Sequence, residues 1–484
     1  MIAPNDHTDS HSVTDRETAP RATTTRDGAR RVLKFGGTSV QDAEAMRRIP
    51  EIVRLNGGDR PVVVTSACAG VTNELVACAA ACRRGDEAEA LRIVEAIALR
   101  HRALLAELDP TAPSDDDARI IDGLIDELRR LVRGTTLLGE TTPRTVDAIL
   151  SLGERLSSPL LVRALREAGL SAVCADSRTF VITDDAHGCA LPLMEEIAAR
   201  ATPTIDALLE SADVVVTQGF VAGTRNGVTT TLGRGGSDYS AALIGAALDA
   251  AEIQIWTDVD GIMTADPRIV PDARAVPEMT FSEARELAEF GAKVIHPDTM
   301  RPAIARNIPV VIRNSHRPSA AGTRLLPDET PIPAGFHSIT VMKGLALIEL
   351  VAPTVTGRKR RVEEAIAIFS ARGVAIECAV LAESKASIMI RSERWDDGLA
   401  LALKSICSVS LRDAMALICL AGTGLRSTPA LLSEPLQALT AHPIALVCGG
   451  SSDHIVLFGV AESSVAEGLI ALHGRLFAEE GSRE

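Results

Sequence analysis

The chain holds six lysines among 484 residues, and the first stands at Lys34 in VLKFGGTSV. The second does not come until Lys293, in EFGAKVIHP, while arginine supplies 44 of the 50 basic residues. A lysine kept where arginine is otherwise favoured suits a task needing a compact charge on a flexible stem, such as following a phosphoryl group as it moves. In KFGGTSV a strand runs into Gly36-Gly37 and then Thr38-Ser39 ahead of a helix. Glycines let backbone amides come close to an anion, and a helix start favours negative charge. The pattern is not a P-loop, and an exposed lysine beside an ordinary strand–helix turn is the alternative. TTLGRGGSDYSAALIGAAL, 230–248, sets Arg234, Gly235, Gly236, Ser237 and Asp238 just before a helix. That set could bind an anionic substrate together with an ammonium or a metal. IWTDVDGIMTADPR, 255–268, reads as a strand followed by a loop long enough to border a nucleotide, and Lys293 falls at a helix end.

These groups need elements to hold them. From 31 to 325, short apolar runs such as PVVVTSA and DVVVTQGF alternate with longer Ala/Leu/Arg segments at helical spacing. The alternation predicts an α/β layered domain with strands buried on both faces. LLPDETPIPAGFHS carries four prolines or glycines in a polar setting and reads as a linker, 326–338. Beyond it two similar α+β units are expected, 339–412 and 413–480: GLALIELVA, a charged helix and ASIMIRSE, then AMALICLAG, PIALVCGGSSDHIVLFGV and a closing helix. Residues 1–30 are polar, lack an apolar signal core, and read as a disordered tail.

Composition narrows the function. Aromatics make up only 2%, so aliphatic side chains must fill the core. A formal charge of -14 argues against non-specific nucleic-acid binding, which needs a cationic footprint. No apolar run reaches membrane-spanning length. The nine cysteines form no zinc-like CxxC pairs; free thiols and an odd count fit a reducing cytoplasm.

Taken together, KFGGTSV, VVVTSACAGVTN, SLGE, LGRGGSD, WTDVDGIMTADPR and FGAKVIHP closely resemble the aspartate kinases of the amino acid kinase family, in the family order. The tail resembles their paired ACT domains. The resemblance implies a three-layer αβα sandwich followed by two ACT-like βαββαβ regulatory units. It implies transfer of the ATP γ-phosphoryl to the β-carboxylate of L-aspartate, giving 4-phospho-L-aspartate, the first step towards lysine, threonine and methionine. A carboxylate with a pKa of about 4 is already ionised at pH 7, so no general base is needed. The difficulty is bringing an anion to a polyanion, which cations and positioning overcome.

By motif, Lys34, Asp238 and Lys293 would be catalytic. Ser66, Thr72, Glu154, Arg234, Gly235, Gly236 and Ser237 would hold aspartate. Lys34, Phe35, Gly36, Gly37, Thr257, Asp258, Met263, Arg268, Lys293 and Val294 would hold ATP. Mg²⁺ would bridge phosphate oxygens in a mostly water-filled shell, with no dedicated protein ligands. Taken alone, Glu154 in SLGERLSS reads more readily as a solvated helix residue. Met263 stands where many relatives carry tyrosine, and methionine can still pack on adenine. The run Arg358, Lys359, Arg360 and Arg361 falls where relatives receive an effector amino acid. It is either a solvated face or a pocket lining that would disfavour cationic lysine. At least a homodimer is expected, because ACT units bury edges or ligands between chains. Two alternatives stand beside this reading: acetylglutamate or glutamate 5-kinase chemistry on the same fold, and a catalytically dead amino-acid sensor.

Overall fold

Strand β1 (Arg31–Phe35) shows why the first domain is layered: Val32 faces one apolar cluster, while Leu33 and Phe35 face another. The same alternation recurs in β2 (Val62–Thr65), whose Val62 and Val64 point opposite to Val63. Successive side chains of a strand point to opposite faces, so a strand apolar at every position must be covered on both. The computed structural model describes residues 30–109, 115–291, 297–352, 358–450 and 452–477. Apart from Arg30, the expected tail lies outside them.

The remaining strands of the first domain are β3 (Ala172–Ala175), β4 (Ile182–Thr183), β5 (Val214–Gln218), β6 (Val221–Thr224), β7 (Thr229–Thr231), β8 (Glu252–Thr257), β9 (Glu278–Thr280), β10 (Val310–Asn314) and β11 (Thr323–Leu326). Eight form a sheet in the order β3-β5-β2-β1-β8-β10-β11-β9, and β4, β6 and β7 form a small second sheet. The large sheet is parallel except between β10 and β11. Helices α1 (Ala43–Asn56), α2 (Val71–Arg83), α3 (Glu87–Leu108), α4 (Asp115–Leu138) and α5 (Pro143–Glu167) cover one face. On the other lie α6 (Met194–Leu209), α7 (Gly236–Ala247), α8 (Phe281–Glu289) and α9 (Arg301–Ile304). This is the three-layer αβα sandwich. Helix α5 starts cleanly because the Thr142 hydroxyl accepts from the Thr145 amide and Pro143 takes the first turn.

The second part is one six-stranded antiparallel sheet, β13-β14-β12-β15-β17-β16. Its strands are β12 (Gly335–Val351), β13 (Cys378–Leu381), β14 (Lys385–Arg391), β15 (Ser408–Thr423), β16 (Ile444–Gly449) and β17 (Ile455–Ala461). Helices α10 (Arg358–Ala371) and α11 (Asp397–Lys404) pack on one half, α12 (Ser433–Ala438) and α13 (Val465–Leu476) on the other. The two regulatory α+β units are therefore interleaved, not consecutive. β12 begins at Gly335, inside the stretch read as linker, and its first half pairs with Leu417–Thr423 of the second unit. The 412/413 division falls within β15. Prolines and glycines at 327–335 hide the strand start from a composition reading, although HSITVM alternates as a strand should. The two parts share an apolar cluster running from Ile253 and Met279 to Leu345 and Leu417. Glu283, fully buried, also joins them by accepting from His337 and Thr423.

Candidate active site

Lys34 leaves β1 near the carboxyl end of the parallel sheet, where ligands of open α/β sheets bind. Its Nζ lies 2.6 Å from Asp238 Oδ1 in the first turn of α7, and both side chains are largely shielded. The following turn is tight: the Gly36 amide donates to the Trp256 carbonyl, and a Cβ on Gly37 would come 2.9 Å from the Ala67 carbonyl oxygen. Only glycine lets this turn lie against the 66–70 loop. Across the pocket a Cβ on Gly236 would strike the Phe220 ring at 2.5 Å. Phe220 itself is held in the left-handed region, φ 62, with its amide donating to Ser240 Oγ at 2.9 Å.

One cavity of about 790 Å³ collects Lys34, Gly37, Ser66, Thr72, Glu154 and the Arg234–Asp238 loop. Arg234 is exposed at its rim. Glu154 projects from α5 and is 3% exposed, with Oε2 buried and without a hydrogen-bond partner. Burial pushes its carboxyl up to about 8, against hydrogen bonding from the Ala67 backbone and the nearby Lys34 charge. The solvated-helix alternative for Glu154 is therefore excluded. The pocket can receive a cation at Glu154 and anions at Lys34 and Arg234.

Four residues assigned to the nucleotide lie outside this first cavity. Asp258, Met263 and Arg268 line a second cavity of about 870 Å³, where Arg268 is exposed and forks onto Asp266. Phe35 turns its ring away, into the core, stacked nearly parallel to Trp256 with centroids 6.1 Å apart. Any contribution of Phe35 to a nucleotide is thus limited to its backbone. Thr257 bonds its neighbour Asp258, and Lys293 and Val294 lie outside the described residues. Of the basic run, Arg360 is exposed and pairs with Glu364, and Arg361 bonds the Ile406 carbonyl. Arg360 thus fits the solvated-face alternative, while Arg361 is partly buried; nothing is described of the Arg358 and Lys359 side chains.

Asp147 is the site residue that motif reading missed. It lies seven residues before Glu154, two turns away on the same face of α5. Fully buried, it accepts from the Gly188 amide, His187 Nδ1 and Thr231 Oγ1, tying α5 to β7 and the 184–191 loop. The i, i+7 spacing of two carboxylates was the available signal.

Known proteins share this chain's sequence and fold. The model of the amino acid kinase family matches residues 29–314. Lysine-sensitive aspartokinase 3 of Escherichia coli K12 is 34% identical over 459 residues, spanning 92% of this chain and 99% of that protein. Crystal structures of E. coli aspartokinase III superpose at 33% identity over 93% of this chain. The complex with aspartate and ADP, an R-state, gives a TM-score of 0.72 over 100% of that chain. The complex with lysine and aspartate, a T-state, gives 0.78 over 99%.

Proposed function

The chain belongs to the amino acid kinase family, among its aspartokinases, and on that premise we propose that it transfers the γ-phosphoryl of ATP to the β-carboxylate of L-aspartate. The observation that carries this reading is a single pocket holding the Lys34–Asp238 pair, a buried unpartnered Glu154 and an exposed Arg234. Each fits one part of the chemistry. Glu154 takes the substrate ammonium, and the planar fork of Arg234 suits its α-carboxylate. Ser66, Thr72 and Ser237 supply hydroxyls around the aspartate, with Gly235 and Gly236 keeping the loop close. The β-carboxylate, already ionised, then points at the turn of Gly36 and Gly37. Lys34, steadied by Asp238, neutralises charge on the transferring phosphoryl, a task to which motif alone also assigns Lys293. Stabilising developing charge with preorganised donors is usually the largest catalytic contribution, and phosphoryl transfer asks for little else. Asp258, Met263 and Arg268 border the nucleotide, with Thr257 beside it; Val294 is assigned to it by motif alone. Mg²⁺ arrives with ATP as part of that substrate, in a shell of phosphate oxygens and water.

The regulatory sheet is assigned to an amino-acid effector. The product is assigned to lysine, threonine and methionine synthesis in the cytoplasm, where free thiols stay reduced. Among the described residues no helix is long and apolar enough to cross a membrane.

Steady-state kinetics of Lys34→Arg test the reading. A planar guanidinium cannot track the phosphoryl as an ammonium does, so kcat should fall on the order of 10²-fold with the fold intact. A kcat within about threefold of the parent would remove Lys34 from the transferring phosphoryl.

A further inference from the structure

The second cavity has two walls of different origin. One is the 258–268 loop, and the other is the regulatory strand β12, through Thr340, Val341 and Lys343. The walls are stitched together. Ser338 Oγ donates to the Met263 carbonyl at 2.7 Å, and the Ile339 amide donates to the Thr264 carbonyl at 2.8 Å. Thr264 Oγ1 also meets His473 Nε2 of α13 at 2.9 Å.

The cations of this cavity are unequal. Arg268 is forked onto Asp266, and Arg317 is paired with Asp260. Lys343 is exposed, and among the described residues it forms no ion pair. Its charge reaches Asp266 only at longer range, helping to hold that carboxyl below its usual value after the Arg268 hydrogen bonds. An arginine-rich chain thus places one of its six lysines, uncommitted, on the rim of this cavity.

We propose that Lys343 is a nucleotide-binding residue: the regulatory strand completes the ATP site by setting its ammonium against the phosphates. This rests on the reading that the 258–268 loop borders the nucleotide. Its consequence is that displacement of the regulatory sheet is felt first as a change in nucleotide affinity, because β12 carries the Met263 loop and Lys343 together. A mobile ammonium on a phosphate makes a charge-assisted contact, stronger than a neutral one even when part of its surface is wet.

The test uses the full chain with Lys343→Met, which keeps the length and removes the charge, and Lys343→Arg, which keeps the charge. Affinity for ADP is measured by calorimetry, and KM for ATP and for aspartate by initial rates. Lys343→Met is expected to weaken ADP binding and raise KM for ATP about tenfold, leaving KM for aspartate within about twofold, while Lys343→Arg retains most of the affinity. Unchanged ADP affinity in Lys343→Met would overturn the inference, as would equal losses for both substrates. No binding of ADP by the parent chain would instead overturn the nucleotide assignment on which it stands.

Discussion

Glu154 combines near-complete burial with an oxygen that finds no donor, so its charge has been deferred to the arrival of a cation. Its carboxyl stands at about 8 against an ordinary 4.5, with burial the largest cause. At pH 7 the empty site therefore holds a proton that an ammonium must displace. Aspartate binding near pH 7 should be accompanied by proton release. Calorimetry in buffers of different ionisation enthalpy measures this, and Glu154→Gln should abolish both the release and most of the affinity. The same shift sets a sign for stability. The native state keeps its proton longer than the unfolded chain, so the contribution is full below about pH 4.5 and is lost as pH rises through about 8. At this scale the motifs named side chains that the fold gathers around one cavity, as with Lys34, Glu154 and Arg234. They were misleading at Phe35, because neighbouring residues of a doubly buried strand face opposite ways, and Lys34 takes the side towards α7.

Helix α5 carries the two buried carboxylates of the pocket, and Asp147 fastens it to β7 and the 184–191 loop. Those partners are separated from Asp147 by 40 to 84 residues in sequence, which is why no local motif exposed the role. Asp147→Ala would leave the Gly188 amide, the His187 ring nitrogen and the buried Thr231 hydroxyl short of an acceptor. An unsatisfied buried group costs about 1–3 kcal/mol, and some of this network will find water, so about 2–4 kcal/mol of stability should be lost in urea unfolding. Asp147→Asn, which keeps an acceptor oxygen, should recover part of it. A loss below about 0.5 kcal/mol in the alanine variant would show that the tether is dispensable. The large sheet was readable because its strands are uninterrupted apolar runs, as in VVVT of β2 and VVVTQ of β5. The interleaving of the regulatory units was not, since which half of β12 pairs with which half of β15 depends on partners distant in the chain.

On the scale of the whole molecule, β13 and β16 are the edges of the regulatory sheet, and Val380 and Leu381 are exposed on β13. Unpaired strand edges with apolar side chains are sites for a second chain. Light scattering should therefore find at least twice the 51.0 kDa of one chain, and a solution holding only that mass would refute a dimer. The identity of the carboxylate that receives the phosphoryl group decides the function. It is tested by coupled ADP release from the purified chain with ATP, Mg²⁺ and, in separate reactions, L-aspartate, N-acetylglutamate or L-glutamate. Turnover is expected with aspartate, where Glu154 meets a free ammonium and Arg234 the α-carboxylate, and only background with the other two. Preferential turnover of N-acetylglutamate or glutamate, or no aspartate-dependent release from folded protein, would contradict that expectation.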